Sequence, residues 1–170
     1  YPAPLDTRRS DTLYERRPDL RCEARDGSVV PRLSLASPEA RELFLGILEE
    51  LATYPVDGVA LLFNRRPPVV AYESAMREAF QKRHGLDPRD LDPADPRWLE
   101  AKAGVVTEFM RAVRRTVDSA AARRGGSRPD VTAIVMGRPD ENRLYGFDIA
   151  AWIQEGLIDS LVPYSPAPLG

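Results

Sequence analysis

The order of apolar patterns along the chain limits its possible folds more than any other feature of the sequence. Three short apolar runs, at 56–63, 131–136 and 157–164, are each preceded by a stretch with the apolar spacing of a helix. Strands that are separated by helices pair in parallel through right-handed crossovers, and their continuous apolar character indicates burial of both faces. The sequence therefore predicts an α/β protein with about three parallel strands and flanking helices.

Capping residues mark where the helices begin and end. Ser37 is a good N-cap for the first long helix, and Pro55 terminates it. Further helices are predicted over 74–83, 96–124 and 149–155. The residues expected to face the core are Leu43, Phe44, Ile47, Leu48 and Leu51 of the first helix and the tryptophans Trp98 and Trp152 of later ones.

The chain divides into three segments by pattern. Residues 1–36 are rich in Arg, Asp and Pro and have little periodicity, which predicts a long loop or extended segment. Residues 37–164 carry the β/α units, and residues 165–170 form a C-terminal tail. A chain of 170 residues is shorter than the roughly 200–250 residues of a (β/α)₈ barrel, and three strands cannot close one. We therefore expect either a fragment of such a barrel, completed by missing chain, or a small three-layer α/β domain.

The composition excludes several classes of site and partner. The 24 basic and 26 acidic side chains nearly cancel and form no basic stripe, so nucleic acid is not an expected partner. No apolar run approaches the roughly 18 residues that span a bilayer, and the first four residues lack a signal-peptide pattern, so we expect a soluble chain. Because Cys22 and His84 are the only residues of their kinds, no internal disulfide, zinc site or histidine-dependent nucleophile is expected, and no metal or cofactor is predicted.

Several stretches of the sequence resemble one known family. The most specific is 144–164 (LYGFDIAAWIQEGLIDSLVPY). The others are 14–21 (YERRPDLR), 33–50 followed by the Asp-Gly strand of 54–59, and 80–85 (FQKRHG). Together they are similar to bacterial glycosylhydrolase-like barrels related to family 10. The resemblance implies a TIM-type barrel that acts on a polysaccharide or oligosaccharide, with this chain supplying middle strands and the remainder of the barrel as its partner. It is compatible with a parent protein that is secreted or attached to the cell envelope.

The barrel fold implied by this resemblance carries its chemistry at the carboxyl ends of the strands and in the loops that follow them. Residues 1–36 are then expected on the same, active-site side. Aromatic rings cover the apolar face of a sugar, while amide and guanidinium groups bond to its hydroxyls. On this basis the candidate substrate-binding residues are Asn64, Arg65, Arg66, Tyr72, Asn142 and Tyr164.

Carboxyl groups after the first two strands are the candidates for catalysis. Glycoside hydrolysis normally requires two of them, one that donates a proton and one that acts as nucleophile or base. Glu73 follows the first strand and is the candidate acid/base, with Glu141 or Asp140 after the second strand as its partner. Each has a structural alternative, because carboxylates also favour helix N-termini, turns and caps.

One position departs from the pattern of the family. Many relatives carry an acidic residue at the end of the Asp-Gly strand, where this chain has Leu62. An apolar side chain cannot transfer a proton or stabilise a developing positive charge. Two alternatives to a hydrolase therefore stay open: a non-catalytic, degenerate barrel that binds carbohydrate, and a small α/β interaction domain without a small-molecule site.

Overall fold

The computed structural model describes residues 13–65 and 67–164 and contains two β-sheets. The strands are β1 (Arg21–Glu23), β2 (Val29–Leu33), β3 (Gly58–Leu62), β4 (Asp130–Met136) and β5 (Ser160–Tyr164). Strands β1 and β2 form an antiparallel hairpin, and the other three form a parallel sheet in the order β3-β4-β5. The predicted α/β class and its three parallel strands are confirmed, and the described residues form no closed barrel.

The helices precede the parallel sheet or connect its strands. In the described part of the chain they are α1 (Leu13–Arg16), α2 (Pro38–Leu51), α3 (Ser74–His84), α4 (Pro96–Arg123), α5 (Pro139–Leu144) and α6 (Ile149–Gln154). Helix α5 lies where no helix was predicted, although Pro139 at its first position and two acidic residues in its first turn are signals of a helix start. Among these helices, none combines the length and the apolar character needed to cross a membrane.

The ends of two predicted helices show the expected capping. The Ser37 hydroxyl accepts a hydrogen bond from the amide of Ala40 (3.4 Å) at the start of α2. Gly85 ends α3 with a φ of 71°, in the left-handed region where glycine has no steric penalty, and its amide donates to the carbonyl of Gln81. Local sequence signals therefore define these helix boundaries without help from distant residues.

The buried face of α2 differs from the predicted one. Leu48 faces the core as predicted, but Leu43, Ile47 and Leu51 are 41%, 51% and 45% exposed. The small side chain of Ala40 is fully buried instead. The prediction of a single buried stripe through all five apolar positions is therefore wrong, because helical spacing does not reveal which side of a broad apolar face has a neighbour.

The two faces of the parallel sheet have different surroundings. Val59 and its register partner Val131 are buried, as are Ala133 and Val135 on the same face of β4, and all four join side chains of α2, α4 and α6 in one core. On the opposite face Leu62 is 52% exposed. The expectation that these strands are buried on both faces is thus wrong for the described residues, in which helices cover the parallel sheet on one face only.

Aromatic side chains fill the core between the sheet and the helices. Trp98 and Trp152 are fully buried, as predicted. The Trp98 ring packs 5.0 Å from Tyr72 and 5.3 Å from Phe80, measured between ring centres. The Trp152 ring nitrogen donates a hydrogen bond to the hydroxyl of Thr107 (3.1 Å), so its polar edge is satisfied inside the core. These contacts join α4 to α3 and to α6 through the core.

Replacement of Gly58 by alanine is expected to destabilise the fold by about 1–3 kcal/mol. A Cβ at this position would lie 2.6 Å from the carbonyl oxygen of Asp130, so β3 and β4 would have to separate where their ladder begins. Gly46→Ala in α2 is the matched control, since its added Cβ would meet nothing within 4 Å and should stabilise the helix by up to about 1 kcal/mol. Urea unfolding followed by circular dichroism measures both, and equal effects would contradict the close approach at Gly58.

Candidate functional site

The carboxyl ends of the three parallel strands lie along one edge of the sheet. Met136 and Tyr164 are register partners at the ends of β4 and β5. The amides of Phe63 and Asn64, directly after β3, both donate to the carbonyl oxygen of Ile134, at 2.8 and 3.2 Å. Asn64, Met136 and Tyr164 therefore follow one another across this carboxyl edge, as expected for parallel strands in register.

One polar atom at the carboxyl edge, the side-chain oxygen of Asn64, is a hydrogen-bond acceptor without a donor among the described residues. Asn64 is partly buried, and its Oδ1 is shielded from water and has no hydrogen-bond partner among the residues that the structure describes. Leaving a buried acceptor unpaired costs about 1–3 kcal/mol, which a bound donor would recover once the side chain turns its Oδ1 toward the edge. Arg65 is exposed beside it, and Tyr164 is 48% exposed. Arg66, also a predicted binding residue, lies outside the described residues.

An apolar surface adjoins these polar groups on the open face of the sheet. Leu62 on β3, Ile134 on β4 and Val162 on β5 are register partners, so their side chains form a row across the sheet. Leu62 and Val162 are about half exposed, and Ile134 is partly exposed. Contiguous exposed apolar surface of this kind marks a place where another molecule or another part of a protein binds.

The structure buries Glu73 rather than presenting it at the edge. Its side chain is 6% exposed, and its carboxylate accepts hydrogen bonds from the Ser34 hydroxyl and, at 3.0 Å, from the amide of Ala71. Burial raises the pKa of Glu73, and these hydrogen bonds oppose that shift. The neighbouring Tyr72 is partly buried, and its ring packs against that of Trp98. In this arrangement the Glu73 carboxyl group is enclosed, and part of the Tyr72 ring is covered by the core.

The predicted residues after β4 lie on α5 and have separate environments. Asp140 is exposed and forms an ion pair with Arg138 (2.6 Å), which lowers the pKa of the Asp140 carboxyl. Glu141 is partly buried. Asn142 is buried, and its side-chain amide binds both the N–H and the carbonyl oxygen of Met136, each at 3.0 Å. Asn142 therefore fastens α5 to the end of β4, which leaves its side chain with no free polar atom for a sugar.

A buried lysine that sequence analysis did not single out supports the same helix from the other side. The Lys102 ammonium group on α4 donates to the carbonyl oxygen of Leu144 at the end of α5. Burial lowers the pKa of Lys102 to about 8. No local signal distinguishes Lys102 from the other charged residues of α4, since its partner is 42 residues away in sequence.

A cavity of about 750 Å³ opens beside this helix, on the helix side of the sheet. It is enclosed by the first turns of α4, by α5 and by the helix-side face of β5. Its walls include Leu99, Ala103, Phe147, Leu161 and Pro163, with Asn142 the one predicted site residue among its lining. Glu100, Arg143 and Asp148 also line the cavity, so it combines apolar walls with charged groups, while the polar atoms of Asn142 are already bonded to Met136.

The described residues hold no arrangement that would bind a metal ion. Within residues 13–65 and 67–164, no three His, Cys, Asp or Glu side chains gather as ligands would. No protein-family model and no curated protein matches the sequence.

Proposed function

We propose that this chain supplies consecutive β/α units of a larger (β/α)₈-type barrel resembling the glycosylhydrolase-like proteins, and that the carboxyl edge of its sheet binds a polysaccharide or oligosaccharide. The unpaired Oδ1 of Asn64, on the same edge of the sheet as the half-exposed ring of Tyr164 and separated from it by the end of β4, is the observation that carries the binding proposal. In a barrel, this edge of the open face is the mouth where ligands bind.

Uncovered apolar side chains support the barrel part of the proposal. Leu43 and Ile47 are exposed on the surface of α2. Leu62 is exposed on the open face, and Leu161 is exposed on the helix side of the opposite edge strand, β5. A neighbouring β/α unit on each side, together with the packed interior of a barrel, would cover all of these positions.

The groups at the carboxyl edge match the two needs of sugar binding. A tyrosine ring can lie against the apolar face of a pyranose, and its phenol can still bond to a hydroxyl. The Asn64 Oδ1 can accept a hydrogen bond from a hydroxyl group, and the exposed Arg65 can donate to ring or hydroxyl oxygens. Leu62 adds apolar surface in place of the acid that many relatives carry there.

These positions favour binding without hydrolysis. A hydrolase needs two accessible carboxyl groups, about 5–5.5 Å apart for retention or about 6.5–9.5 Å apart for inversion. Glu73 is enclosed by Ser34 and Ala71, and Asp140 is paired with Arg138. One observation still favours the hydrolase as a second candidate. Burial raises the pKa of Glu73, and a general acid needs a raised pKa in order to carry a proton to donate. Glu141 or Asp140 would then be its partner.

A glycan array probed with the protein tests the proposal. Replacing Tyr164 or Asn64 by alanine is expected to weaken binding to the preferred glycan at least about tenfold, which corresponds to about 1.4 kcal/mol. Tyr54→Ala is the matched control, since Tyr54 is equally exposed but precedes β3 at the opposite edge. The absence of any bound glycan, or an equal loss in the Tyr54 variant, would contradict the proposal.

The same glycans separate binding from hydrolysis. Release of new reducing ends by the protein, abolished by Glu73→Gln and retained by Glu78→Gln on the exposed face of α3, would establish the hydrolase instead. We expect no release, because the Glu73 carboxyl is enclosed.

A further inference from the structure

The β1-β2 hairpin is attached to residues 69–73, which we call the strap, by hydrogen bonds of two kinds. Two are between backbone groups: the amide of Leu35 donates to the carbonyl of Val69, and the amide of Tyr72 donates to the carbonyl of Glu23, both at 2.8 Å. The third joins side chains, from the Ser34 hydroxyl to the Glu73 carboxylate. The strap leads directly into α3, so this attachment connects the hairpin to the rest of the fold.

Glu73 is buried at the centre of this attachment without a charged partner. Its two bonded donors, the Ser34 hydroxyl and the Ala71 amide, are neutral, and it forms no ion pair with any residue in the described ranges. The other ionisable groups around it belong to three elements. Cys22 of β1 interacts electrostatically with Glu73, and Arg32 of β2 interacts in turn with Cys22; Glu23 of β1 forms an ion pair with Arg77 of α3 at 3.8 Å.

We infer that Glu73 makes the attachment of the hairpin to the strap sensitive to pH. The hairpin stays bound to the strap while the Glu73 carboxyl group is protonated, and it separates more readily once that group is ionised. A protonated carboxyl can stay in this apolar enclosure with its hydrogen bonds intact. An ionised carboxyl group carries a buried charge that only neutral donors compensate. Separation of the hairpin from the strap exposes this carboxylate to water, and separation therefore becomes more favourable on ionisation. The part that opens is the hairpin, and its separation uncovers Cys22.

The direction of the pH dependence follows from burial. Because burial raises the pKa of Glu73 in the closed form above its ordinary value, closure is most stable below that ordinary value. The equilibrium constant for opening then increases by up to about tenfold per pH unit between the ordinary pKa and the raised one, and levels off above it.

Cys22 reports this opening directly. It is the only cysteine of the chain, its side chain is 1% exposed, and burial raises its pKa to about 12, so a thiol reagent reaches it only when the hairpin separates. We would follow its reaction with dithiodipyridine from mildly acidic to neutral pH and divide each rate by that of the denatured protein at the same pH. This ratio is expected to increase with pH in the wild-type protein and to stay constant in Glu73→Gln. The neutral amide of Glu73→Gln keeps an oxygen acceptor for Ser34 and Ala71.

Glu78→Gln on the exposed face of α3 is the control and should behave like the wild-type protein. A ratio that does not change with pH in the wild-type protein, or that changes equally in Glu73→Gln, would overturn the inference. Hydrogen exchange in the wild-type protein gives a second test that needs no variant. The Leu35 and Tyr72 amides should lose protection as pH increases, corrected for the intrinsic exchange rate, while the Val113 amide in α4 should not.

Discussion

Replacement of Trp152 by alanine is expected to destabilise the fold by about 3–5 kcal/mol. The ring is fully buried and packs 5.3 Å from the ring of Phe63 and 6.1 Å from that of Phe147, measured between centres. Its removal opens a cavity where α6 meets the sheet, and it leaves the buried hydroxyl of Thr107 without the ring nitrogen that donates to it. Both losses lower the free energy of unfolding.

Ile153→Ala provides the control for this variant, since Ile153 is adjacent in sequence and 59% exposed. Its effect on the free energy of unfolding should stay within about 0.5 kcal/mol. Urea unfolding monitored by circular dichroism measures both variants. If Trp152→Ala destabilised the protein by no more than Ile153→Ala does, the packing of α6 on the sheet would not be as described.

Replacement of Arg114 by methionine is expected to destabilise the fold by about 3 kcal/mol, the lower end of the range for breaking a buried ion pair. Its guanidinium group is 7% exposed and bonds to Asp118, to Asp159 at 2.9 Å and to the carbonyl oxygen of Pro129 at 2.8 Å. Loss of the guanidinium leaves the Pro129 carbonyl unpaired. The carboxylates keep some contact with water, and Asp159 retains Arg128 at 2.6 Å, which limits the effect.

The neighbouring Arg115 offers a matched control. It is 64% exposed, and its ion pair with Glu108 spans 3.3 Å at the surface, so Arg115→Met should change the free energy of unfolding by less than about 1 kcal/mol. The same urea titrations serve for this pair. Equal midpoints for the two methionine variants would show that the Arg114 network does not join α4 to the amino ends of β4 and β5.

Sequence patterns predict the helices and strands of this fold better than they predict which faces of those elements are buried. The strands β3, β4 and β5 and the cap at Ser37 follow from local signals, because continuous apolar runs and N-cap chemistry need no distant partner. The exposure of Leu43 and Ile47 does not follow, because it depends on which neighbours pack against α2. The hairpin was also not predicted: β1 has only three residues, and its position depends on contacts with the strap.

Some features of the candidate site could be predicted from the sequence and others could not. The position of Asn64 and Tyr164 at one edge follows from the parallel arrangement of the strands, since the ends of parallel strands in register coincide. The burial of Glu73 could not be predicted, because its partner Ser34 is 39 residues away in sequence and belongs to the hairpin. The contacts of Asn142 with Met136 depend on α5, a helix that the sequence analysis did not include.

A crystal structure of the protein with a bound oligosaccharide tests the central claim most directly. We expect the sugar at the carboxyl edge, with one ring against Tyr164 and a hydroxyl donating to the Asn64 Oδ1, which has no other donor among the described residues. A sugar bound instead in the cavity between α4 and β5, or one that leaves the Asn64 oxygen unpaired, would contradict the account.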